Sequence, residues 1–301
     1  MKKIQRSATD IIPRGYMWIG LILLFLFSVL PYVYLVTTSF SNQVEINAGH
    51  LFPQHPTLSN YRQLFSPKDS YALELIQAMR NSLEASILTT IIALIFGSMA
   101  AYAFARIKFP FRMTGLFAIL SMQVLPTVSI VVPLYMMFRN GFGIPIPFTH
   151  YSIQLTGPLL NTPWALIISY ASGTIPYVVW MVTGYFSAAP KELEEAAYID
   201  GCGLWGTMIR IILPLSLPGL AATFIFSVLN NFDEFMFANA FTSTYASKTV
   251  PLFIAELVGK HSLPWGLMCA AGVVATIPFV ILSMICYRWI VTGVTAGAVK
   301  G

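Results

Sequence analysis

The chain has 301 residues, is 56% hydrophobic and only 10% charged, and carries a formal net charge of +5. Soluble domains carry roughly 25% charged residues, so a surface facing water all round is excluded, and with it an ordinary soluble enzyme. The composition is that of an integral membrane protein, and the positive charge, spread over loops rather than gathered in a patch, argues for membrane topology and against a nucleic-acid partner.

A bilayer core takes about 20 apolar residues of helix. In chain order the segments that reach this length are 16–40, 85–105, 113–138, 164–186, 217–241 and 262–287. The expected fold is all-α: six transmembrane helices in the lipid bilayer, a 1–15 N-terminal segment, a long 41–84 loop, a core over 85–290 and a 291–301 tail. Lys2, Lys3, Arg6, Arg14, Arg106, Lys108, Arg112, Lys191, Arg210, Arg288 and Lys300 fall on one side of this layout; Arg62, Lys68, Arg80, Arg139, Lys248 and Lys260 fall on the other, in longer loops. Positive residues concentrate on the cytoplasmic side, so both termini and the 187–214 loop are expected there. The first run is too long for a cleavable signal and reads as an uncleaved anchor. Pro126, Pro133, Pro176 and Pro278 lie inside spans, where each removes a backbone hydrogen bond and can bend the helix.

The 187–214 loop holds "PKELEEAAYIDGCGLWGTMIRIILP", a compact charged stretch between nearly uncharged runs. Pro190 suits the first turn of a helix. Glu192, Glu194 and Glu195 then sit near the positive end of its dipole. Leu193, Ala196 and Ala197 form a small apolar stripe, and Asp200-Gly201 is a stop, glycine supplying the left-handed conformation beyond a helix end. A second helix is expected over 204–213, ending at Pro214. Two short helices about a glycine hinge make a docking element, with acids that can pair with a partner's arginines.

In the fifth span, "LNNFDEF" places Asn230, Asn231, Asp233 and Glu234 in or near the membrane. Ionisable groups there face an aqueous cavity or a bundle interior. These four residues are candidates for lining a pathway, with the alternative that the stretch is hydrated at the outer interface. Neighbours on a helix lie about 100° apart, so at most one of Asp233 and Glu234 points directly into a cavity.

No catalytic or metal site is expected. Cys202, Cys269 and Cys286 form no CxxC pair, and the histidines His50, His55, His150 and His261 lie outside the apolar runs. No GxxxxGK[ST] occurs, since Gly259-Lys260 is followed by His261, so no P-loop for ATP is present.

Glu195-Ala196-Ala197, three residues, Gly201, nine residues, Ile211, one residue and Leu213-Pro214 resemble, at every fixed position, the EAA loop of binding-protein-dependent ABC import permeases. Pro190-x-Glu-Leu-x-Glu, Asp200-Gly201 and Asn81-Ser82 are similar to the carbohydrate, maltose-type branch, and the ending "GVTAGAVKG" resembles the tail of its second, shorter membrane subunit. The resemblance covers essentially the whole chain and implies a type I ABC importer permease fold in a bacterial cytoplasmic (inner) membrane. The implied activity is passage of an oligosaccharide or related carbohydrate, with no enzyme activity and no cofactor in this chain, ATP and Mg being bound by partner ATPase subunits. The implied partners are a homologous second permease in a heterodimer, two ATP-binding subunits and an extracytoplasmic sugar-binding protein.

By the same resemblance the 190–214 stretch is the coupling helix. Glu194, Glu195, Ala196, Ala197, Asp200 and Gly201 would meet the ATPase, and Lys300 and Gly301 would reach along its dimer interface. The 242–265 loop corresponds to one that reaches into the binding protein. Where sugar permeases usually carry Trp-Asn-[Asp/Glu]-Phe, this chain has Phe232-Asp233-Glu234-Phe235, so no sugar contact carries over residue by residue. The rival reading is a self-contained, proton-coupled secondary transporter using Asp233 or Glu234.

Overall fold

Inside a bilayer, backbone N–H and C=O groups find partners only within the protein, so long apolar runs fold as helices. The computed structural model describes residues 14–67, 70–145, 152–154, 156–258 and 264–298. Lys300 and Gly301, and the Gly259-Lys260-His261 stretch, lie outside the described residues. Among the described residues four helices are long and apolar enough to cross a membrane, and six spans result when two sharply bent pairs each count as one.

The chain divides into two units. The first contains α1 (Arg14–Ser39), α2 (Gln43–Asn47) and α3 (Ser59–Leu64), with the residues from Leu257 to Ala275. From Tyr16 to Tyr32 the side chains of α1 are almost all uncovered, Phe27 at 84% exposure, as suits a helix facing hydrocarbon. Beyond it, side chains close the loop. Asn42 accepts the Glu45 N–H at 2.9 Å, and the Glu45 carboxylate accepts the Gln54 and His55 N–H groups at 3.2 and 3.1 Å. Asn60 Nδ2 donates to the carbonyls of Ser39 and Ser41, each at 2.9 Å, while Tyr61 and Ser39 share a hydroxyl contact of 2.8 Å. Gly266 lies against Asn60, where a Cβ would come within 2.5 Å of Nδ2.

The second unit holds all but the first two residues of α4 (Tyr71–Arg106), a single helix of 36 residues. At 1.5 Å per residue it is about 54 Å long, so it starts well before the expected second span and overshoots a ~30 Å hydrocarbon core. Ala78, Ser82, Ala85, Thr89, Ala93 and Gly97 recur every three or four residues along its buried face. Small side chains at that spacing let helices approach closely in a membrane.

α5 (Arg112–Ser121) runs through a 3-10 turn, Met122–Val124, before α6 (Thr127–Asn140). The pair is bent by 87°. A residue before proline is driven out of the helical region, and Leu125 and Pro126 are both extended, with ψ of 125° and 128°. The third span is therefore broken rather than merely kinked, and only at Pro126; Pro133 stays inside α6. After it, β1 (Gly143–Pro145) and β2 (Ser152–Gln154) pair antiparallel, a short ribbon added to the expected helical fold.

α7 (Pro163–Ala188) passes Pro176 without interruption. Then come α8 (Lys191–Ile199), α9 (Leu204–Thr207), a π-turn at Met208–Ile212 and α10 (Leu213–Leu215). Pro214 did not end the helix as expected. It sits in the first turn of α10, and the wider π-turn precedes it, where a proline cannot donate to the carbonyl four residues back. α11 (Leu217–Phe232) leaves this segment at 77°. The fifth span was expected to be continuous over 217–241. Instead α11 stops at Phe232, residues 233–235 connect, and α12 (Met236–Phe241) follows. α13 (Val250–Glu256) and α14 (Trp265–Ala298) complete the helices.

Two buried clusters organise the second unit. One joins Tyr102, Val178 and Phe186 to Met208 and Ile212 of the π-turn. The other joins Phe138, Leu166 and Tyr170 to Phe237 and Phe241.

Candidate functional site

Two features are built on this frame: a surface helix at the α7 end and a cavity with both apolar and polar side chains in its wall at the break of the third span. The surface helix is α8. Pro190 takes the N-cap position, one residue before the expected first turn, with φ −59° and ψ 132°. The stop is as expected. Gly201 has φ +83°, the Cys202 N–H donates to the Ala197 carbonyl at 2.9 Å, and the Gly201 N–H donates to the Tyr198 carbonyl at 3.1 Å. These two bonds satisfy carbonyls that the helix end would otherwise orphan, which requires the left-handed residue.

Glu195, Ala196 and Asp200 are exposed. Beside them Leu193, Tyr198 and Ile199 are uncovered apolar groups, Ile199 at 87% exposure. Glu194 and Ala197, expected to meet a partner, instead turn inward and are buried. Glu194 Oε1 lies 2.5 Å from Arg106 Nε in an ion pair whose side chains are 8% and 7% exposed. Arg106 Nη2 donates to the Ala189 carbonyl at 2.7 Å.

The cavity holds about 540 Å³. Gln123 and Leu125 line it at the break of the third span, Ser172, Thr174 and Tyr177 from α7, Asn230 from the end of α11 and Glu234 from the connector that follows it. The Leu125-Pro126 break opens the wall here, and Gln123 Nε2 donates across it to the Gly173 carbonyl at 3.4 Å. Broken helices at membrane depth are tolerated where they line a cavity.

Asn230, Asn231 and Glu234 thus come together, while Asp233 is exposed and is absent from the lining. Asn231 is mostly tied up inside the protein: its Oδ1 accepts from Thr174 Oγ1 at 2.8 Å and its Nδ2 donates to Thr90 Oγ1 at 3.3 Å. Glu234 accepts the Phe237 N–H on both carboxylate oxygens at 3.0 and 3.1 Å, which fixes it at the head of α12. Tyr170 lines the cavity together with Glu234. Hydroxyls, amides, two tyrosine rings and one carboxylate can exchange hydrogen bonds with a polyhydroxylated solute, and the rings offer flat apolar faces.

Sequence reasoning did not single out Arg106, Tyr170, Ser172, Thr174 or Tyr177. Arg106 read as a topology signal. The others are ordinary in an apolar helix, and the one signal available was Gln123, a lone amide in the third span.

Residues 93–296 match the family described as binding-protein-dependent transport system inner membrane component. The trehalose/maltose transport system permease protein MalG of Thermococcus litoralis is 34% identical over 293 residues, covering 97% of this chain and 99% of that one. The sulfoquinovosyl glycerol transport system permease protein SmoH of Agrobacterium fabrum is 32% identical over 273 residues, covering 90% of this chain and 88% of that one. In fold, the chain is similar to one in the crystal structure of a bacterial ABC transporter involved in the import of the acidic polysaccharide alginate, with a TM-score of 0.69, 16% identity and coverage of 96% of this chain and 100% of that one. The chain belongs to the family of binding-protein-dependent transport system inner membrane components, the multi-pass permeases of ABC importers.

Proposed function

We propose that this chain forms half of the path by which a saccharide enters the cell, and that α8 is its joint to a separate ATPase. The observation that carries the reading is the presentation of α8: Glu195 and Ala196 of the EAA pattern stand exposed beside Ile199, on a helix fixed by its own buried face and stopped at Gly201. An exposed apolar patch rimmed by acids fits a protein groove bearing arginines. The relatives' names, trehalose/maltose and sulfoquinovosyl glycerol, support a carbohydrate cargo, and the hydroxyl-rich cavity suits one.

In this reading an extracytoplasmic binding protein delivers the saccharide, a homologous second permease supplies the other half of the path, and two ATPase subunits bind ATP and Mg. Both termini and α8 face the cytoplasm. ATP closure biases a two-state membrane assembly through α8. Asn230 and Glu234 contribute to the path, Asp233 lies beside it, and Asn231 braces its wall. The test is uptake of radiolabelled maltose and trehalose into membrane vesicles with and without internal ATP. ATP-dependent uptake, lost in Gly201→Pro, supports the reading; uptake by the chain alone, driven by a pH gradient, would replace it with the secondary-transporter alternative.

A further inference from the structure

Arg106 gathers three pieces of chain at one guanidinium. It is the last residue of α4, it donates to the carbonyl of Ala189, which caps α7, and it pairs with Glu194 in the first turn of α8. The covalent link between α7 and α8 is slight: Ala189 and Pro190 are both extended, with ψ of 139° and 132°. A joint of two extended residues carries no helical hydrogen bond across it. Without a second attachment α8 could swing against the span ends.

The second attachment is buried. The Arg106 and Glu194 side chains are 7% and 8% exposed, and Ala105, next to Arg106, and Ala189, whose carbonyl Arg106 meets, belong to the core that holds Tyr102, Phe186, Met208 and Ile212. A buried ion pair is poorly explained as a source of stability, because desolvation offsets most of its attraction, but it does fix geometry and strands a charge when one partner is lost. A guanidinium holds two acceptors at a set spacing and in one plane, which an ammonium cannot do. On α8, Glu195 is left exposed while Glu194 is withdrawn into the protein.

We propose that Arg106 and Glu194 are positioning residues, a strut that makes α8 move as one body with the ends of α4 and α7. Displacement of α8 then reaches the walls of the cavity, to which α7 contributes Ser172 and Tyr177, instead of being absorbed at Ala189-Pro190. The proposal rests on the reading of α8 as the ATPase joint.

The test uses the complex purified with its partner subunits, the native cysteines replaced by serine and Ser172→Cys introduced as a reporter on the cavity wall. The rate at which a small thiosulfonate labels this cysteine is measured with and without a non-hydrolysable ATP analogue. With Arg106 and Glu194 intact the analogue changes the rate about tenfold, a coupling of ordinary size. In Glu194→Gln or Arg106→Lys the change falls below about twofold, although the complex still binds the analogue. An undiminished change in either assembled variant overturns the proposal, since a brace needed only for folding would leave it intact. If Glu194→Gln does not assemble, Arg106→Lys, which keeps the charge but not the planar fork, decides alone; its failure to assemble would assign the pair to folding and overturn the proposal. Absence of any ATPase from the unmodified complex would remove the reading of α8, and the proposal with it.

Discussion

Thr174 donates a 2.8 Å hydrogen bond to the side-chain oxygen of Asn231, joining α7 to α11 at the wall of the cavity. The same amide reaches α4 through Thr90 at 3.3 Å. One asparagine therefore holds three helices in register where an apolar side chain could not. Asn231→Leu is expected to lower stability by about 1 kcal/mol, the usual worth of such a bond between membrane helices. Asn230→Leu, on the exposed neighbour, is expected to leave stability unchanged and to reduce transport. Thermal unfolding in detergent beside uptake in vesicles separates the two; equal loss of stability would contradict the assignment.

Gly219 lies under the ring of Tyr185, and a Cβ there would come within 2.4 Å of the ring carbons. Gly219→Ala is expected to cost about 1–3 kcal/mol through overpacking. Gly184, in α7, has open space where its Cβ would be. Gly184→Ala is expected to leave stability unchanged or raised by up to about 1 kcal/mol. The two unfolding curves check this contrast within one experiment.

Gly201 has open space around a would-be Cβ but a φ of +83°, whereas Gly203 has open space and a φ of −77°. Gly201→Ala should therefore carry a backbone cost of about 1–2 kcal/mol and Gly203→Ala almost none. Amide hydrogen exchange along α8 reads this directly. Exchange should quicken at least about fivefold in the first variant, the rate equivalent of 1 kcal/mol, and stay level in the second.

Much of this was legible in the residues. Asp200-Gly201 announced the end of α8, and the apolar runs announced the spans. Of Asp233 and Glu234 only Glu234 reaches the cavity, but the helical spacing from which one of them was expected to turn away does not apply, because residues 233–235 lie between α11 and α12. What stayed hidden depended on long-range partners. Glu194 read as one acid among several until Arg106, 88 positions earlier, was found against it (194 less 106). Pro126 and Pro133 looked alike, yet only the first breaks its helix. Local pattern gives the possibility of a break, and packing decides where it occurs.

The 187–214 segment is expected on the cytoplasmic side. A single cysteine at Glu192, exposed on α8, should react with a membrane-impermeant maleimide in inside-out vesicles and not in intact spheroplasts. Labelling in spheroplasts would reverse the topology and separate α8 from any cytoplasmic motor.

In the proposed reading α8 joins this permease to an ATPase. The most direct test is a mild-detergent pull-down of the chain from its native membrane, with companions identified by mass, repeated for Gly201→Pro, whose ring cannot adopt a φ of +83°, and for Glu195→Arg. The expected result is recovery of a P-loop ATPase and a second permease with the unmodified chain, and loss of the ATPase in both variants while the chain remains in the membrane. Recovery of the ATPase in equal amount with both variants would contradict it.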